Sequence, residues 1–137
     1  MSKNDVTKLW SLNYRLVGSV FAAVAPALRD LGLEVKELFL LGELENHPHP
    51  AALSSALLIP KPTVTLYLKR LESAGHVKRE IDPGDLRRHK LLLTADGRKV
   101  MTRGLALLSQ AFGERLARLT TAQQAELRAL LEKMLTP

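Results

Sequence analysis

The sequence predicts a mainly α-helical chain with one small β-hairpin, an α+β arrangement built as a helix-turn-helix with a wing. Three observations predict it. Apolar residues recur at helical spacing through most of the 137 residues. The period breaks once, after Gly75: His76–Ile81 and Lys90–Leu93 read as short strands on either side of Asp82-Pro83-Gly84-Asp85, which is turn chemistry. Just before that break, a short helix, a turn and a second helix follow one another closely.

Taken in order, Val6–Leu31 reads as a long helix. Its apolar residues, from Val6 and Trp10 to Val24 and Leu28, cover more than one stripe, and so broad a surface needs more than one partner. Pro26 should kink it, and Gly32 marks its end. Glu34–Glu45 is a second helix, with Val35, Leu38, Phe39, Leu41 and Leu44 inward. Asn46-His47-Pro48-His49-Pro50 is a connector that cannot continue the helix. Ala52 to Leu57 or Leu58 is the first helix of the helix-turn-helix. The second runs from Pro62 to Ala74, since proline is tolerated at the first helical position and Gly75 is a stop. Val64, Leu68 and Leu71 share its back. Pro62, Leu66, Lys69, Arg70 and Ser73 occupy its front, with Thr63 and Thr65 on the flanks. Such a helix suits the major groove of duplex DNA.

Beyond the hairpin, whose tip is expected to carry Arg87 and Arg88, Thr94 caps a helix from Ala95 to about Leu119. Thr121–Gln124 reads as a capping box opening a last helix striped by Leu127, Leu130, Leu131, Met134 and Leu135. That stripe is expected to need a second chain. The organisation is one domain over residues 1–137, with a DNA-binding lobe at 34–94 and dimerisation helices at 1–31 and 95–137.

Charge narrows the function. The chain carries +6, and the stretch Lys61–Arg103 alone holds 11 Lys and Arg against 5 Asp and Glu, while the rest carries nine of each sign. The whole excess lies in the second helix, the wing and the start of the helix after it, an electrostatic footprint for a polyanion. There is no cysteine, so no disulfide, thiolate nucleophile or thiol sensor. No apolar signal core or membrane-length apolar run is present, and a soluble, cytoplasmic protein is expected. No nucleotide-binding, hydrolase or metalloprotease motif occurs, so no enzyme and no cofactor is expected.

The run P-T-V-T-L-Y-L-K-R-L-E-S-A-G-H-V-K-R, then D-P-G-D-L-R-R, then L-T-A-D-G resembles the MarR family of winged-helix transcriptional regulators. Asp85 and Arg87, five further residues, then Leu93-Thr94 and Gly97 match that family's D-x-R and L-T-x-x-G spacing. The resemblance covers about Leu53–Gly97. It departs at Leu58, where many members have glycine, at Pro60, which replaces a capping serine, and at Leu66 and Leu86, where basic residues are common. These departures leave the fold reading intact and fall where DNA preference is set.

The resemblance implies a two-fold dimer in which the first and last two helices interlock, so that two reading helices and two wings address a pseudo-palindromic duplex. It implies that Asp85 orients Arg87 toward DNA. On this reading the helix from Pro62 reads base edges, with Thr63, Thr65, Leu66 and Lys69 within reach. Arg87 and Arg88 enter or border the minor groove, and Lys61, Lys69, Arg70, Lys78 and Lys90 hold phosphates. The resemblance also implies a small aromatic or anionic effector, for which Tyr14 and Arg15 are candidates, and most often repression. Two alternatives stay open from the residues alone. The basic face could meet an acidic protein in a winged-helix assembly module. His47 and His49, with Glu43 and Glu45 nearby, could bind metal, although a structural zinc site usually needs four ligands and the connector reads as ordinary.

Overall fold

The computed structural model describes all 137 residues: six helices and one hairpin, in the order α1 (Lys3–Asp30), α2 (Val35–Glu43), α3 (Pro50–Leu57), α4 (Lys61–Ser73), β1 (Val77–Asp82), β2 (Asp85–Leu93), α5 (Ala95–Leu116) and α6 (Thr121–Leu135). The chain divides into two compact units, residues 24–107 and residues 1–23 with 108–137. Both boundaries fall inside helices, α1 and α5, rather than at their ends. The first unit reaches into both because Val24 and Leu28 belong to its core and because Gly104 of α5 lies against Leu38. A Cβ at Gly104 would stand 2.6 Å from Leu38 Cδ1.

In the unit 24–107, the back of α4 is buried as its spacing predicts: Val64, Leu68 and Leu71 are closed off from solvent, together with Leu38, Leu41 and Leu44 of the α2 region and Leu53 of α3. Val35 and Phe39 are only half-buried, and Leu40 takes an inward position instead. The turn between α3 and α4 is made by Leu58 in the left-handed region, φ 55°, with Ser54 Oγ donating to the Ile59 carbonyl at 2.6 Å. A non-glycine residue there is strained by about 1–2 kcal/mol. α4 starts at Lys61, one residue before the expected Pro62, with Pro60 as N-cap, so Pro62 is the second helical residue.

The wing is a two-stranded antiparallel hairpin. Its second strand begins at Asp85, five residues earlier than expected. Ile81 pairs with His89 and Asp82 with Asp85, so Leu86, Arg87 and Arg88 have no opposing residues. They form a bulge. Arg87 and Arg88 therefore sit on that bulge and not at the tip, which is Pro83-Gly84. Thr94 caps α5 as expected: its Oγ1 accepts from the Gly97 amide at 3.0 Å and donates to the Gly75 carbonyl at 2.6 Å. Gly97 is needed for a close approach, because a Cβ there would stand 2.0 Å from the His76 carbonyl oxygen.

In the unit of residues 1–23 and 108–137, α1 opens with a reciprocal Ser2–Asp5 cap that holds the Asp5 carboxyl below its ordinary range. Further along, α1 continues as helix through Pro26 to Asp30, although the ring removes one backbone bond. α5 ends at Leu116, three residues before the expected Leu119. The last capping box is Thr120 with Gln123, one residue earlier than Thr121–Gln124: the Gln123 amide donates to Thr120 Oγ1, and Thr120's amide to Gln123 Oε1. Arg115 fastens α5 to α1, its Nε donating to Ser19 Oγ at 2.9 Å and its Nη2 to the Ser19 carbonyl at 3.1 Å. No residue of α6 is buried, and Val6, Leu9, Trp10 and Leu12 of α1 are exposed. No helix is long and apolar enough to cross a membrane.

Candidate nucleic-acid interface

Every residue assigned to DNA from the sequence lies in the unit 24–107, on α4 or the wing. The front of α4 is solvent-exposed at Lys61, Pro62, Thr65, Leu66 and Lys69, with Thr63 half-buried beside them. Thr65 Oγ1 donates to the Lys61 carbonyl at 3.0 Å. Its hydroxyl proton is thus engaged, and what it offers outward is acceptor lone pairs and a methyl group. Leu66 adds an apolar surface suited to a thymine methyl. Lys61 stands at the N-terminus of α4, where its own charge and the helix dipole both favour an anion.

Arg70 differs from its neighbours. Its guanidinium reaches Glu34 Oε1 at 3.3 Å and Glu37 Oε1 at 3.4 Å. Glu37 is only 1 % exposed, the one buried charged residue, and its Oε1 also accepts from the Glu34 amide at 3.0 Å. Burial pushes the Glu37 carboxyl above the usual carboxylate range, while the Glu34 amide and Arg70 pull it back. Arg70 is therefore a clamp between α4 and α2, engaged by two carboxylates where Lys69 beside it has none.

On the wing, Asp85 Oδ1 accepts from the Arg87 amide at 3.1 Å and from Arg87 Nε at 3.4 Å, so the i, i+2 pair is formed. The Arg87 side chain remains 92 % exposed. Lys78 pairs with Glu80 at 3.4 Å, both exposed, a contact weak enough to be exchanged for a phosphate. Arg79 instead meets Glu72 of α4 at 2.6 Å and ties the hairpin to the helix. Lys69, Arg88 and Lys90 are exposed and carry no ion pair.

The histidines separate. His47 lies 3.8 Å from Glu43, whereas His49 turns to the wing, and Glu45 pairs with Arg98 of α5. No three His, Asp or Glu side chains converge on one point that could hold a metal.

A winged lobe with an exposed, cation-bearing reading helix fits one family in particular. The model of the MarR family matches residues 31–88, within the unit that carries these residues. Over 139 aligned residues the chain is 36 % identical to the HTH-type transcriptional repressor Rv2887 of Mycobacterium tuberculosis, covering 98 % of each.

The chain belongs to the MarR family.

Among solved structures of that family, Rv2887 in complex with DNA is 33 % identical, covers 93 % of this chain and 98 % of its own, and has a TM-score of 0.79. Its complex with p-aminosalicylic acid is 32 % identical with the same coverage and a TM-score of 0.77. The resemblance drawn from the reading helix and wing thus extends over nearly the whole chain, flanking helices included.

Two features of this MarR-family lobe escaped sequence reasoning. The Arg70–Glu37 clamp was hidden because Glu37 carries a charge in a helix whose inward residues are otherwise leucines. The tie between His49 and the wing joins residues 33 and 40 positions apart, and no local pattern signals it. Tyr14 and Arg15 lie on an exposed stretch of α1, where Tyr14 stands 6.3 Å from Trp10 between ring centres. Neither lines the apolar cavity of about 370 Å³ in their unit, which is walled by Val17, Val20, Phe21, Leu108 and Leu131 among others.

Proposed function

We propose that this MarR-family chain is a sequence-specific, ligand-responsive transcriptional repressor that works on duplex DNA as a homodimer. Thr63, Thr65, Leu66 and Lys69 of α4 read major-groove edges. Arg87, oriented by Asp85, meets the minor groove with Arg88 beside it. Lys61, Lys78 and Lys90 hold phosphates. The observation that carries the reading is that Lys61, Lys69, Arg87, Arg88 and Lys90 stand exposed on α4 and on the wing, in a chain that resembles a repressor throughout its length. The dimer is supported by the exposed apolar residues of α1 and α6, which a single chain leaves in water. With two reading helices the site is a pseudo-palindrome, its half-sites about 34 Å apart.

The effector is an aromatic acid, on the precedent of p-aminosalicylic acid bound to Rv2887. Tyr14 and Arg15 supply an aromatic face and a cation of the right chemistry. An effector acts by binding one spacing of the two reading heads better than the other. The function is binding without a catalytic step, and it operates in the cytoplasm.

Selection of duplexes from a random DNA pool tests the reading. The expected result is an enriched pseudo-palindrome whose affinity falls steeply with salt. A flat pool, with no sequence enriched, contradicts it.

A further inference from the structure

We infer that His49 is a positioning residue for the wing: its imidazole closes the neck of the segment 83–88 and so holds Arg87 and Arg88 at the angle DNA binding requires. The inference rests on the DNA-binding reading above. His49 Nε2 lies 3.2 Å from Asp82 Oδ2, and Nδ1 lies 3.1 Å from the His89 carbonyl oxygen. Asp82 ends β1, and His89 is the first residue of β2 to pair with β1 beyond the bulge, opposite Ile81. Both partners are acceptors, so it is the imidazolium form, with an N–H on each ring nitrogen, that grips both sides of the neck below the unpaired Leu86, Arg87 and Arg88.

The two side chains are 17 % and 18 % exposed, so the contact is largely shielded from water. Asp82 uses its other oxygen to accept from the Gly84 amide at 2.8 Å, which couples the grip to the turn itself. Beside it, the Leu91 amide donates to the Pro48 carbonyl at 2.8 Å, so the connector is bonded to β2 at two neighbouring points. The remaining side-chain bonds of the segment, from Asp82 to Gly84 and from Asp85 to Arg87, are internal to the wing and cannot orient it against the helices. His49 is the residue that does so at this level.

The ring has no competing duty to its own helix. His49 is the N-cap of α3, yet its side chain makes no cap bond. His49→Asn thus separates the two roles: asparagine is a favoured N-cap, and its side chain is too short to bridge Asp82 and His89.

The test is a double-mutant cycle on the full chain with a duplex selected from a random pool. His49→Asn should weaken binding about tenfold, as loss of a charge-assisted bond at an ordering site does. In a background with both Arg87→Ala and Arg88→Ala it should change binding less than about twofold, because the side chains it orients are gone. The melting temperature should not fall, and backbone amides of Gly84, Arg87 and Arg88 should lose order by NMR relaxation while those of α4 keep it. An equal loss of binding in both backgrounds overturns the inference in favour of a general structural role, as does a His49→Asn chain that fails to fold. Full affinity with His49→Asn while Arg87→Ala weakens binding overturns the inference alone. Full affinity with Arg87→Ala defeats the DNA role of the wing, and the inference falls with it.

Discussion

The two units of the chain are built on opposite terms. Of the 16 buried apolar residues, 14 lie in residues 24–107, and only Val20 and Ala111 lie in residues 1–23 and 108–137. The second unit nevertheless carries Trp10 at 64 % exposure, with Val6, Leu9, Leu130, Leu131 and Met134 also in the open. One unit closes its own core, and the other presents its apolar residues outward. The difference teaches where the chain is self-sufficient and where it waits for a second copy. It also explains why Lys61, Thr65, Lys69 and Arg87 can be polar and exposed: the core of their unit closes within one chain.

Removing residues 121–137 should have the largest effect. The parent should scatter light as twice 15.2 kDa and the truncated chain as a monomer, with DNA affinity falling sharply because one reading head must then bind alone. A truncated chain that stays dimeric would break the comparison. Within the self-contained unit, Leu38→Ala should cost about 2–5 kcal/mol in denaturant unfolding, since Leu38 is fully buried and lies against Gly104. A smaller effect comes from the turn of the helix-turn-helix. Leu58 is 90 % exposed and strained at φ 55°, so Leu58→Gly should stabilise by about 0.5–1 kcal/mol, the relieved strain less the extra chain entropy of glycine. Dimerisation should be unaffected; a fall in stability would show that the leucine side chain packs in the functional state.

The smallest predicted effect is a slope. The Glu37 carboxyl is raised by burial above its unfolded value. Between those two values the folded chain binds the proton that the unfolded chain has released, so this group's contribution to stability falls as pH rises through the interval. Glu37→Gln does not titrate, and its stability relative to the parent should grow as pH rises there. Parallel pH profiles for the two chains would contradict the assignment.

The fold was legible because its elements obey local rules. Val64, Leu68 and Leu71 announce the buried back of α4, and Thr94 the cap of α5. What local rules missed depends on residues distant in sequence. The alternation of hydrophobic and polar residues along the strands gives no sign that Leu86–Arg88 bulge, because the register is set by pairing across the hairpin. Arg70 and Lys69 look alike on a helical wheel, yet Glu34 and Glu37 engage one and leave the other free. The apolar stripe of α6 and its need for a second chain were both readable from its spacing, and no residue of α6 is buried in a single chain.

The central claim is that α4 reads sequence while the wing supplies affinity, and titration of variants against a preferred and a scrambled duplex at several salt concentrations tests it most directly. Thr65→Ala and Lys69→Ala should each reduce the preference between the two duplexes by about 1–3 kcal/mol for every base edge that goes unread. Arg87→Ala should weaken binding to both duplexes alike and lower the salt slope by about one unit per phosphate released. Because a dimer carries each change twice, the measured effects can be up to double. Neither set should unfold the chain, since Thr65, Lys69 and Arg87 are all exposed. Full sequence preference in both α4 variants, or undiminished affinity in Arg87→Ala, would contradict the account.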